Sequence, residues 1–289
     1  MADWTDSDLP DLTGQRYAIT GATHGIGEEA ARALAAHGAE LVLFARNADR
    51  ARDLLAEFGG RGAVVRCDLA DQASIRTAAE SVTGDLDVLI HNAGAVSSSR
   101  QETVQGWELT LGINCHGPAL LNRLLLPQVR RRIVIVGSEA HRNARLDRDD
   151  PHWRNRRYQP FAAYAASKLA LMLWARELSS RLAAEQSPVD VQLAHPGFAV
   201  TNLQNVSRFE PLNALIRLTS RPFSQDQVAG SWPTLYAATE VLPPTSYVGP
   251  DGRRAMRGHP TPQIPDARAT DPEAARWVWN LVERETFIE

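Results

Sequence analysis

Lysine is almost missing from this chain of 289 residues: among 31 basic residues Lys168 is the single lysine, and the rest are arginine. That bias is the mark of GC-rich coding, and it makes the surviving lysine a residue to account for. Cysteine is nearly as scarce. Cys67 and Cys115 have no metal-ligand spacing around them, which argues against both a disulfide framework and a cysteine-based zinc site. The eight histidines are scattered without an H-x-x-x-H pair, so no bound metal is expected. No segment approaches the roughly 18 consecutive apolar residues that suggest a membrane span. The first ten residues carry Asp3, Asp6 and Asp8 and no basic start, so the sequence predicts no signal peptide and a cytoplasmic protein. A net charge of −3 and a pI near 6.3 leave no basic excess for nucleic acid.

What is present is ordinary globular composition. With 44% hydrophobic and 22% charged residues, the chain can bury a sizeable core. Short apolar runs at 15–20, 41–45, 62–66, 86–90, 133–136 and 189–194 read as strands. Helical patterns at 26–36, 51–58, 73–82 and 162–183 alternate with them, together with a long helix at 104–129 broken near Gly117 and Pro118. This rhythm predicts right-handed βαβ units: an α/β fold with a doubly wound parallel sheet and helices on both faces. Beyond His195 the rhythm changes. Residues 202–233 read as amphipathic helices, 242–269 as a Pro-, Gly- and Arg-rich stretch, and a last helix starts at Asp271 and Pro272 with Trp277, Val278 and Leu281 on one face. One domain spanning 1–289, elaborated at about 202–289, is the economical reading.

The first strand runs into T-G-A-T-H-G-I-G, residues 20–27, with glycines at 21, 25 and 27. Such a loop lets the chain turn sharply and lets backbone N–H groups at the start of a helix approach a pyrophosphate; a turn that merely needs small residues is the alternative. Where an acid would hold a ribose 2′-hydroxyl, at the end of the second strand, stand Arg46 and Asn47. A cation there suits a 2′-phosphate, so NADP(H) is preferred over NAD(H), although Arg46 is also readable as solvated and Asp49 is close by. Tyr164 and Lys168, four apart in the strongest helical pattern, share one face. An ammonium about 5 Å from a phenol would lower its pKa from about 10 by about 2, toward general acid–base range. Ser138 ends the fifth strand, and a hydrolase elbow fails there because Val136 and Ala140 occupy its glycine positions. The arginines of 142–157 read as a solvated loop or as a rim attracting an anionic substrate.

Taken in order, T-G-A-T-H-G-I-G, H-N-A-G at 91–94, Ile113-Asn114 with Gly117, Gly137-Ser138, Y-A-A-S-K at 164–168 and P-G-F-A-V-T at 196–201 resemble the short-chain dehydrogenase/reductase family. S-E-A-H at 138–141, the long interval to Tyr164 and the tail at 247–249 are similar to its retinol dehydrogenase and protochlorophyllide reductase branch, as found in actinobacterial oxidoreductases. The resemblance implies a Rossmann-type sheet and hydride transfer between a nicotinamide and a carbonyl or alcohol. It makes Tyr164 the acid–base, Lys168 the ribose ligand, Ser138 the holder of substrate oxygen and Asn114 the support of a water relay. It places Gly21, His24, Gly25, Ile26 and Gly27 on the cofactor with Arg46 and Asn47, Asp68 and Leu69 at the adenine, and Asn92, Ala93 and Gly94 along the cleft. Pro196, Gly197 and Thr201 would meet the nicotinamide end. The apolar segment 209–218 and the last helix would cover a mainly hydrophobic small-molecule substrate. A homo-oligomer, dimer or tetramer, is common in that family. Reduction of a conjugated C=C or C=N bond, and a non-catalytic cofactor-binding sensor, are the competing functions.

Overall fold

The computed structural model describes residues 3–197 and 226–286. Eight strands form one sheet: β1 (Arg16–Thr20), β2 (Glu40–Ala45), β3 (Gly62–Arg66), β4 (Leu86–His91), β5 (Val129–Val136), β6 (Asp190–Ala194), β7 (Tyr247–Pro250) and β8 (Pro260–Gln263). Their order is β3-β2-β1-β4-β5-β6-β7-β8, with every pairing parallel except β7 with β8. This is a doubly wound Rossmann-type sheet, and its order reverses between β1 and β4, where ligands bind in such folds.

The inner stretches of the central strands β1, β2, β4 and β5 are continuously apolar because both faces are covered. Tyr17 and Ile19 of β1, Leu41 and Leu43 of β2, and Val134 and Val136 of β5 pack on one side. Ala18, Val42, Phe44, Ile133 and Ile135 pack on the other. The period of two thus survives inside continuous hydrophobic runs. Helices α1 (Gly25–Ala36), α2 (Ala48–Glu57) and α7 (Gln227–Thr239) cover the first face. Helices α3 (Gln72–Ser81), α5 (Gly117–Leu125) and α6 (Pro160–Ala184) cover the second, and α8 (Pro272–Thr286) packs outside α6. Trp174 of α6 stacks on Trp279 of α8, ring centroids 6.4 Å apart, and Arg181 lies over the same indole. Being covered on both sides, α6 is apolar nearly all round.

Two expectations change. The long helix at 104–129 does not form: a single turn, α4 (Leu109–Leu111), leads into a π-turn at Gly112–His116 before α5. Gly106 has φ +81°, which no helix tolerates, and Pro118 cannot donate to the carbonyl four residues before it, so the ladder widens ahead of it. The Pro- and Gly-rich stretch carries β7 and β8. Pro260 and Pro262 sit on the edge strand, where a missing N–H is tolerated. The arginines of 142–157 lie along an irregular stretch with Arg145, Arg148, Arg154 and Arg157 exposed, as a solvated loop implies, and some are also paired: Arg156 with Asp147 and Asp150 and over Trp153, Arg148 with Glu273. Asp271 does cap α8, accepting from the N–H groups of Glu273 and Ala274. Residues 202–225 of the amphipathic stretch lie outside the described residues.

At the end of the sheet away from the cleft, Arg132 is 5% exposed yet makes four hydrogen bonds. Its guanidinium forks onto Asp190 at 2.7 and 2.8 Å and donates to the carbonyls of Ala237 and Glu240. It ties β5, β6 and α7 together. Arg132→Met leaves Asp190 and two carbonyls unanswered and is expected to destabilise the fold by about 3 kcal/mol, read by denaturant unfolding; an unchanged midpoint would refute that role.

Candidate active site

The site grows from the carboxyl ends of β1 to β6. Gly21 leaves β1 at φ +72°, and a Cβ there would meet the Cα of Ala93 at 2.8 Å. Gly27 lies so close to the Gly21 carbonyl and the Asn92 amide that a Cβ would sit 2.3 Å from each. These glycines are therefore required by close approach. The Asn92 side chain donates to the carbonyls of Thr20 and Gly21, and the Thr20 hydroxyl accepts from the N–H groups of Asn92 and Ala93. At the start of α1 no side chain caps the helix, whereas Asn47 caps α2 and Asp71 caps α3. Uncapped amides at a helix N-terminus facing a cleft are what a pyrophosphate needs, so this side of the site fits a dinucleotide.

Across the cleft, Tyr164 and Lys168 come from the first turns of α6. The Lys168 ammonium, 3% exposed, donates to the Val136 carbonyl at 2.8 Å. Burial holds its pKa down to about 8. Burial also raises the Tyr164 phenol, opposed by a hydrogen bond with Ser138. The expected lowering of the phenol by Lys168 does not show in this structure: burial raises the phenol, only Ser138 opposes it, and the ammonium is turned to the backbone of β5. Gly94 makes room for this arrangement, since a Cβ on it would lie 3.3 Å from the Lys168 Nζ and 3.4 Å from the Asn114 Oδ1. Asn114 sits in the π-turn with every amide function used: its Oδ1 accepts from Ala95 N, and its Nδ2 donates to Ala95 O and the Ser167 hydroxyl.

The resulting cleft is about 810 Å³. Its walls include Gly21, His24, Gly25, Ile26, Gly27, Arg46, Asn47, Asp68, Leu69, Asn92, Ala93, Gly94, Tyr164, Lys168 and Pro196. Ser138 adjoins the wall residue Gly137, and Asn114 lies beneath the surface, fully buried. Gly197 stands behind the wall, its N–H on the His195 Nδ1 and its Cα against Met256. Thr201 and the segment 209–218 lie outside the described residues. No residue of α8 lines the cleft, because its apolar face is spent on α6.

Sequence reasoning missed the role of the supports. Thr20 and Ser167 are buried hydroxyls that anchor Asn92 and Asn114; both stand inside the quoted motifs, where nothing in the spacing gives them that part. Beside Ser138, the Glu139 carboxylate accepts from the Tyr247 phenol at 3.0 Å and from Arg142 at 2.6 Å, and the His195 ring stacks on Tyr247. Burial pushes the Tyr247 phenol well above its ordinary range. Nothing in local spacing links Glu139 with Tyr247.

Comparison with known proteins agrees with this geometry. Residues 15–211 match the family model for short chain dehydrogenase. The chain is 34% identical to a Streptomyces lividans protein named "Probable oxidoreductase", over 93% of this chain and 96% of that one. It is 32% identical to mouse retinol dehydrogenase 13, over 93% and 82%. The crystal structure of an uncharacterized protein from Mycobacterium Paratuberculosis, 37% identical, superposes with a TM-score of 0.86 over 100% of this chain and 99% of the other. The chain belongs to the short-chain dehydrogenase/reductase family, in the branch of the retinol dehydrogenases, and is an oxidoreductase. No described helix is long and apolar enough to cross a membrane.

The Lys168 charge has a testable cost. Between pH 8 and the ordinary value of 10.5 the unfolded chain binds the lysine proton and the folded chain does not, so the folded state gains stability as pH rises through that window. Below pH 8 both states are charged and the burial penalty is present in full. Lys168→Met is expected to melt about a few degrees above the parent at pH 7, with the gap shrinking above pH 8. A gap that does not vary with pH in paired thermal melts would count against the buried ammonium.

Proposed function

We propose that the protein is an NADP(H)-dependent oxidoreductase that interconverts a hydrophobic ketone or aldehyde and the matching alcohol. The observation that carries the reading is the convergence of Tyr164 and Lys168 on the cleft that also holds the glycine loop and the uncapped start of α1. A nicotinamide dinucleotide bound along that cleft supplies or accepts the hydride. The chain's own part is binding, orientation and proton movement. The Ser138 hydroxyl holds the substrate oxygen. The Tyr164 phenol, kept protonated at neutral pH by burial, gives its proton to that oxygen during reduction and takes it back during oxidation.

Lys168 faces the same cleft, where it would hold the ribose of the bound cofactor, and Asn114 is a positioning residue that fixes the 92–95 turn against α6. Arg46, in the cleft wall after β2 where an acid would serve NAD(H), supports NADP(H). The apolar substrate class is supported by the name of the mouse retinol dehydrogenase relative.

Tyr164→Phe is expected to cut turnover by about 10²-fold or more while leaving cofactor affinity within about twofold. Turnover that survives the substitution would sink the acid–base role. A fluorescence titration with NADPH and with NADH is expected to show tighter binding of NADPH; tighter NADH binding would overturn the cofactor choice and leave the chemistry standing.

A further inference from the structure

Beside the adenosine end of the cleft lies a cavity of about 370 Å³ lined by Arg46, Arg66, Asp68, Asp71, Ser74 and Thr77. Arg46 and Asp68 also belong to the cleft wall, so the two spaces adjoin. We infer that Arg66 is a second reader of the cofactor 2′-phosphate, acting with Arg46 from the neighbouring strand end. The assignment rests on the NADP(H) reading above.

The sheet places the pair. β2 and β3 run parallel with Ala45 opposite Arg66, and Cys67 N donates to the Ala45 carbonyl at 3.0 Å. The two chains are therefore still registered where the two arginines leave them. Neither guanidinium has a hydrogen bond or ion pair among the described residues. The acids in the same lining are partly engaged elsewhere. Asp71 Oδ1 accepts from Ala73 N, capping α3, and Asp68 Oδ1 accepts from Ala70 N, each at 3.0 Å. The balance of acidic and basic side chains in the lining decides the argument. With Arg46 alone the lining would hold two negative charges against one positive, a setting that repels a phosphate monoester of about −1.5 to −2. Arg66 brings the lining to balance and supplies a second planar fork of donors.

The test is a binding titration of the intact protein with NADPH, NADH, 2′-AMP and 5′-AMP, followed by calorimetry or fluorescence. Arg66→Ala is expected to weaken NADPH and 2′-AMP by about tenfold and to leave NADH and 5′-AMP within about twofold, as loss of one charged hydrogen-bonding partner implies. Arg66→Lys, which keeps the charge and loses the fork, is expected to fall between. An NADPH preference that Arg46→Ala removes and Arg66→Ala leaves intact would overturn Arg66 while sparing the cofactor reading. Equal loss of both cofactors in Arg66→Ala and in Arg66→Gln would also overturn it, because Arg66 would then serve the strand end and not the phosphate. An unaltered protein without any preference for NADPH would overturn the cofactor reading and Arg66 with it.

Discussion

The contact between the ends of β1 and β4 governs the architecture of the cleft. There the sheet order reverses and two chain turns must pass within van der Waals distance of each other. Glycine at 21 and 27 removes the atoms that would forbid it, and Thr20 and Asn92 satisfy the backbone groups that the close approach would strand. Once that junction is fixed, the position of α1 follows, and with it the direction in which its free amides point. The opposite wall is fixed by a second bracket of the same kind, Asn114 joining the 95 turn to Ser167 of α6. Two asparagines thus set the width of the cleft between a glycine loop and a tyrosine–lysine helix.

The electrostatics follow a different logic from the packing. Arg132 and Asp190 at the far end of the sheet are matched within the chain, as are the acidic Glu139 and its partners Arg142 and Tyr247 beside Ser138. Inside the cleft the matching is incomplete. Lys168 has one carbonyl, and Arg46, with Arg66 in the adjoining cavity, has no partner among the described residues. Charges left under-satisfied in a cavity are a cost to the free fold that a bound, oppositely charged or hydroxyl-rich molecule can offset.

What was legible in the sequence was what is local. The glycine loop, the Tyr164–Lys168 spacing and the Asp271–Pro272 helix start each depend on residues within one turn of one another, and the structure places them as their spacing implies. Asn92 was legible as a cleft residue and not as the strut that holds the loop. The π-turn at Gly112–His116 was hidden because Gly117 and Pro118 announce a break without saying that the helix would widen before it. β7 and β8 were hidden by their prolines, and the Glu139–Tyr247 pair by a sequence separation of 108. Long-range pairings of this sort carry no periodic signal.

Those same prolines shape what the molecule does at high concentration. An open parallel sheet ends in two raw edges, and a raw edge is a template for any stray strand. On β8, Pro260 and Pro262 lie opposite Pro250 and Val248, so two of four positions have no N–H with which to greet an incoming chain. The last strand runs against the direction of the rest and is short, which makes it a poor guide for further parallel growth. The feature that disguised this strand in the sequence is therefore also what closes that side of the sheet to strand addition.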